Sequence, residues 1–294
     1  LDQYLMGFRA PEEVPGTFLV RRSSRPANAL PQKGVTFNGE RQNIAVEDVI
    51  AAEGRRSPDH TVAQRRFRLA VILVVREGTE PTQAELAQLE QLRSEFEGYY
   101  AKAADARASM ETSLKNNLHL SLWPAAGVVE GASVKATVSI DRARESDLTV
   151  VIRNSTGNAS LADCVVIPAG SREATVSVQG MAAGVDEIVA ETDEGSYYPT
   201  VAKVQVSPLS NVRLEVISAE PAAIQIRATD VNLIPYPGMR LVVAANSGTV
   251  NSGDAVVTGE DGIARIRWQP GSDGTRELQV AFEDGTGAVK ITAP

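Results

Sequence analysis

Two histidines, one cysteine and scattered carboxylates are the residues in this 294-residue chain best suited to chemistry. His60 closes the stretch SPDH with Ser57 and Asp59, which are the residue types of a nucleophile, a base and an orienting acid. Packed this closely on one loop, they cannot adopt triad geometry, so the stretch reads as a polar loop. His119, in LHLSLW, alternates with Leu118 and Leu120 and therefore faces solvent or a domain junction. Cys164 lies in the strand-like run ADCVVIPAG and reads as a buried, inert thiol. A single cysteine allows no intrachain disulfide and leaves the compartment open.

A catalytic zinc requires three protein ligands and an open position for water. The sequence has no HExxH, and His60 and His119 fall in different expected domains. Asp2 reads as an acid in the first turn of a helix rather than as a ligand. This chain alone is therefore expected to bind no catalytic zinc. Carboxylates gather near strand ends in DEIVAETDEG (186–195) and in TGEDG, which keeps structural calcium open although no EF-hand pattern is present. There is no GxGxxG, P-loop or CxxC pair. No catalytic, cofactor-binding or metal-ligating residue is assigned.

Arg55, Arg56, Arg65, Arg66 and Arg68 make one stretch basic, but no aromatics interleave with them. They read as a solvated face pairing with nearby glutamates. A net charge of −8 argues against nucleic acid and anionic membranes as partners. No apolar run reaches the roughly 18 residues that suggest a membrane span.

The elements that would carry these residues differ in texture along the chain. Residues 1–115 mix helix and strand. Leu1, Leu5 and Phe8 share one face of a first helix, ended by Pro11 and Pro15. NIAVEDVIAAEG predicts a short helix with Val46, Val49 and Ile50 inward and Gly54 as its cap. RRFRLAVILVVREG predicts a central strand, with LAVILVV (69–75) apolar on both faces and buried. Thr82 and Glu85 form a capping box that opens the longest helix, over about 84–103. In that helix Leu86, Leu89, Leu92, Phe96 and Tyr99 recur as a core-packing stripe.

From Leu118 the period changes to two. Seven short β-rich runs over 118–207 describe an immunoglobulin-like sandwich, with Ala174, Val176 and Val178 inward and Thr175, Ser177 and Gln179 outward. VSPLSN (206–211) reads as a linker, and seven more runs over 211–294 predict a second sandwich. EDG (260–262) and SDG (272–274) mark tight turns, and Trp123 and Trp268 are expected to be at least partly buried. The fold class is thus multidomain: an N-terminal α/β (α+β) partial domain followed by two all-β immunoglobulin-like sandwiches.

TVSIDRARESDLTVVIRNSTGNASLADCVVIPAGSREATVSVQGMAAGVDEIVAET resembles Ig-like and Calx-β-like modules of bacterial surface and secreted proteins. IRATDVNLIPYPGMRLVVAANSGTV, with VVTGEDGIARIRWQPGSDGTRELQVAF, resembles bacterial Ig-like modules of the intimin and invasin type. LDQYLMGFRAPEEVPGTFLV, GERQNIAVEDVIAAEGRRSPD and the stretch from RRFRLAVILVV through the long helix resemble the distal catalytic region of bacterial secreted zinc-metallopeptidase-like proteins. In that family an HExxH helix lies upstream and Ig-like modules often follow.

The resemblances imply a non-catalytic C-terminal portion of an exported bacterial protein, secreted or at the cell surface. Its Ig-like modules would act as spacer, tether or adhesive units towards protein or cell-surface polysaccharide. The alternative they imply is part of a secreted zinc peptidase whose zinc segment lies upstream. A missing N-terminal segment of the same protein would then be a further partner, and the first ten or so residues should be poorly packed or covered by another chain or by the adjoining sandwich.

Overall fold

The computed structural model describes residues 1–26, 28–30, 32–272 and 276–293. The first 115 residues form small elements around a small core. A short helix α1 (Asp2–Leu5) is followed by a ribbon of β1 (Thr17–Arg21) and β2 (Glu40–Ile44) and by helix α2 (Val46–Glu53). Strand β3 (Arg66–Arg68), the long helix α3 (Gln83–Ala103) and strand β4 (Ser109–Glu111) complete the region. β3 and β4 pair in parallel.

Local chemistry explains the helices. Glu85 N–H donates to Thr82 Oγ1 at 3.2 Å and Thr82 N–H donates to Glu85 Oε2 at 2.7 Å, so the capping box satisfies two otherwise free donors of α3. Gly54 ends α2 at φ +83°; of the expected inward residues Val46, the first of the helix, is buried and Val49 and Ile50 are half-buried. The expected face of Leu1, Leu5 and Phe8 is divided. α1 stops at Leu5, the chain turns at Gly7 (φ +80°), and Phe8 leaves the helix to become buried. Phe8 packs with Ala104 and Ala108, next to the rings of Phe67 and Tyr100, while Leu1 and Leu5 stay exposed.

Two expectations for this region fail. The central strand over 65–78 reduces to the three residues of β3. Beyond Leu69, whose N–H reaches Glu111 O at 3.0 Å, residues 70–75 join no strand, and Val71 to Val75 are all exposed. The run has strand propensity, but no described strand pairs with it. The stripe on α3 is not core either, because the helix has no buried residue and Leu86, Leu92 and Tyr99 lie open.

The first sandwich stacks two sheets. β5 (Leu118–Leu120), β6 (Ala125–Val129), β7 (Ser133–Ile140), β8 (Leu148–Asn154) and β9 (Ala159–Ser160) precede β10 (Cys164–Ile167), β11 (Glu173–Gly180), β12 (Gly184–Thr192) and β13 (Thr200–Ser207). Their orders are β10-β8-β12-β13-β6 and β5-β7-β11-β9. The pairs are antiparallel except for β13 with β6. Val176 and Val178 point inward while Thr175, Ser177 and Gln179 face out, as the alternation predicts. Ala136, Val138 and Val150 are wholly enclosed between the sheets. β6 and β9 add to the seven expected runs.

The second sandwich contains β14 (Arg213–Ser218), β15 (Ile224–Thr229), β16 (Arg240–Ala245), β17 (Thr249–Val250), β18 (Ala255–Val257), β19 (Ile263–Ile266), β20 (Trp268–Gln269), β21 (Glu277–Phe282) and β22 (Val289–Thr292). Sheets β14-β15-β19 and β18-β16-β21-β22 enclose a core around Ile226, Leu241, Leu278 and Trp268, and β17-β20 forms a small ribbon. The EDG turn forms around Gly262, at φ +69°. A side chain there would sit 2.9 Å from Pro235 Cβ and from Tyr236 N, so geometry and space both call for glycine. Asp273 and Gly274 of the SDG turn lie outside the described residues.

Trp268 is buried, whereas Trp123 is 53% exposed, against expectation. It follows β5 on the turn leading to β6, outside the space between the sheets. Cys164 is also exposed rather than buried. It opens β10, an edge strand, where Ile167 is the residue that turns inward. Among the described residues no helix is long and apolar enough to cross a membrane.

Candidate functional site: a domain junction and an aromatic cleft

Two constructions stand out where the sandwiches and the N-terminal region meet. The first is the loop 230–239 between β15 and β16, which plugs the second sandwich onto the first. Pro235 O accepts from Gly127 N–H at 2.8 Å, and the Tyr236 ring lies so close to Gly127 that a side chain there would overlap it. Tyr236 and Asp230 are both buried, and Tyr236 Oη donates to Asp230 Oδ2 at 3.2 Å. Burial pushes the Tyr236 hydroxyl up to about 12, helped by the neighbouring Asp230 charge.

Gln205 of β13 donates to Asp230, and Asn232 returns a bond to Gln205 Oε1 at 3.1 Å. Asp230 Oδ1 also takes the N–H groups of Asn232 and Ile234, at 2.8 and 3.1 Å. A buried carboxylate is tolerated here because donors from both sandwiches surround it. The same loop accepts weak bonds from the N-terminal region: Ser57 Oγ reaches Val231 O at 3.5 Å, and Asp59 N–H reaches Asn232 Oδ1 at 3.4 Å.

The second construction is a cleft of about 720 Å³ between the β3–β4 ribbon and the first sandwich. β3 supplies Arg66 and Arg68, β5 supplies His119, the following turn supplies Trp123, and β12 and β13 supply Glu187 and Lys203. Glu187 ties β3 to the first sandwich: Arg66 Nη2 lies 2.9 Å from one carboxylate oxygen and Lys203 Nζ 2.6 Å from the other. Burial alone would raise the Glu187 carboxyl, but Lys203 and then Arg66 outweigh it and hold it below its ordinary value.

The Arg68 guanidinium stacks 4.3 Å from the Tyr198 ring centroid and donates to Asn117 Oδ1 at 3.0 Å. His119 Nε2 sits 2.7 Å from Asp141 Oδ1. Bonds first from Asn117 and then from His119 lower the Asp141 carboxyl.

Ser57, Asp59 and His60 form a loop in which Asp59 Oδ1 accepts from Thr61 N–H and Thr61 Oγ1 at 2.8 and 2.5 Å, not from His60. Of the basic stretch, only Arg66 meets a glutamate among the described residues. Arg56 binds the carbonyls of Leu5 and Pro58, and Arg65 binds that of His60, at 2.7 Å. Backbone carbonyls thus take Arg56 and Arg65, while Arg68 donates to the side-chain oxygen of Asn117 and stacks on Tyr198.

Asp186, within the run considered for calcium, is buried and already occupied. Burial pushes its carboxyl up, but backbone donors at Ala159, Thr156 and Ser155 more than reverse this, to about 2. Among the described residues no group of three His, Cys, Asp or Glu is placed to hold a metal ion. Sequence reasoning missed Tyr236 and Trp123 as junction and cleft residues. The proline-flanked PYPG and the proline after Trp123 are the local signals that mark loops there.

No protein-family model matches this chain, and no curated protein matches it. Solved structures do. The D0-D1 domain of intimin is 15% identical over 61% of this chain and 95% of that one, with a TM-score of 0.28. Domains 5-6 of the S-layer protein SbsC are 18% identical over 60% and 95%, with a TM-score of 0.27. The Yersinia pseudotuberculosis adhesin InvE is 14% identical over 60% and 58%, with a TM-score of 0.26. A likeness this low in identity and score transfers no activity, ligand or partner to this chain.

Proposed function

We propose that this chain serves an exported, cell-surface or secreted bacterial protein as a stiff spacer that carries an adhesive site towards protein or polysaccharide. Its units would be residues 1–115, 118–207 and 211–294. The observation that supports this reading is the junction around Tyr236. Its ring on Gly127, the Gly127–Pro235 bond and the buried Gln205–Asp230–Asn232 cluster resist bending between the sandwiches. Flexible tandem domains normally share more polar and less enclosed contacts.

Pulsed electron spin resonance tests the spacer reading. Labels on the exposed native Cys164 and on an introduced V257C would report one sandwich each. A single narrow distance distribution is expected, broadening in G127V. A broad distribution in the unmodified junction would refute the spacer.

A further inference from the structure

We infer that the cleft between the β3–β4 ribbon and the first sandwich binds a carboxylate-bearing oligosaccharide, with a sugar face on Trp123 and a carboxylate on Arg68. This rests on the adhesive part of the proposed function and gives it a ligand class. The cleft volume of about 720 Å³ falls within the roughly 300–1,000 Å³ typical of ligand sites.

Its charge departs from that of the chain. Arg65, Arg66, Arg68 and Lys203 line it against Glu111 and Glu187, whereas the whole protein carries −8. Glu187 already holds both Arg66 and Lys203. Arg68 has no carboxylate partner among the described residues. Its stacking on Tyr198 fixes the plane of a guanidinium that uses one nitrogen on Asn117. A planar, oriented guanidinium favours a carboxylate.

Trp123 supplies the apolar half. It is 53% exposed on the cleft wall and stacks on no other ring among the described residues. An indole offers a large flat face at small conformational cost, which suits the C–H face of a pyranose. Gln64 and Ser121 also line the cleft. Gln64 Nε2 is engaged by Arg66 O and Ser121 Oγ by Thr137 N–H. This leaves the Gln64 amide oxygen to accept and the Ser121 hydroxyl hydrogen to donate towards a hydroxyl-rich ligand. An acidic peptide would satisfy the arginine but would leave these polar groups and the flat ring less fully used.

The test uses trigalacturonic acid, its neutral methyl ester, and hexaglutamate as the peptide competitor, each titrated against the whole chain by isothermal calorimetry, which reads the variants as well as the wild type. The chain has two tryptophans and Trp268 is buried, so acrylamide quenching reports Trp123. Trigalacturonic acid should bind, shield Trp123 from acrylamide and weaken with added salt. The methyl ester should bind at least tenfold more weakly, and W123A and R68Q should each lose at least tenfold while remaining folded by circular dichroism. Absence of binding, equal binding of the ester, or full affinity in W123A overturns the inference. Binding of hexaglutamate alone replaces the saccharide with an acidic peptide. A negative result leaves the spacer reading intact, because the spin-label distances do not depend on the cleft.

Discussion

The two sandwiches and the first 115 residues use similar residues to opposite effect. VVIPAGSREATVSV and LAVILVV are both β-branched runs. In the first sandwich β7, β8 and β11 each pair on both sides and face an opposing sheet, so Val138, Val150 and Val178 are fully enclosed. In residues 70–75 the same chemistry has no described neighbouring strand, and Ile72 and Val74 stand 79% and 86% exposed. Phe18 and Leu19 on the β1–β2 ribbon and Leu92 on α3 are likewise open. Propensity thus proposes a strand, but pairing and a second layer are what make one.

The contrast can be broken first in the cores. Ile226→Ala, at a fully buried site of the second sandwich, should cost about 3–4 kcal/mol in urea unfolding. Leu92→Ala, on the open face of α3, should cost less than about 0.5 kcal/mol. Similar losses at both sites would mean that α3 packs as tightly as the sheets.

Asp186 gives the next largest effect. Asp186→Ala strands the amides of Ser155, Thr156 and Ala159 and should destabilise the first sandwich by roughly 2–3 kcal/mol. Because the folded carboxyl titrates at about 2, below its ordinary value of about 3.9, its stabilisation is present above about pH 4 and fades as pH falls towards 2. Acid titration of the wild type against the variant, followed by circular dichroism, should show the difference shrinking across that window.

Gly262→Ala should cost about 1–2 kcal/mol through its left-handed φ and its crowding against Pro235. Thermal melts read the shift, and an unchanged melt would mean the turn relaxes. The smallest stability effect belongs to the double change Ile72→Ser and Val74→Ser, expected within about 0.5 kcal/mol. It should nonetheless reduce self-association in light scattering, since an exposed, unpaired β-branched run invites pairing with another chain.

Legibility followed the same divide. The alternation at Val176 and Val178, the Thr82–Glu85 cap and the glycines at 54 and 262 are local signals, and each appears as read. Leu69 to Val75 and the stripe of α3 misled, because a period states which face is apolar and not whether anything covers it. Cys164 and Trp123 failed for a related reason: an edge strand and a turn expose residues whose type suits a core. The junction and the cleft join residues far apart in sequence, such as Gly127 with Tyr236 and Arg66 with Glu187, so no window of sequence contains them.

Amide hydrogen exchange resolved to single residues tests the central claim most directly. Gly127 N–H, which crosses to Pro235 O, should exchange as slowly as the interiors of β7 and β12, while the amides of Val71 to Val75 should exchange at nearly unprotected rates. Rapid exchange at Gly127 together with slow exchange at Val71 to Val75 would contradict both the locked pair of sandwiches and the open N-terminal run.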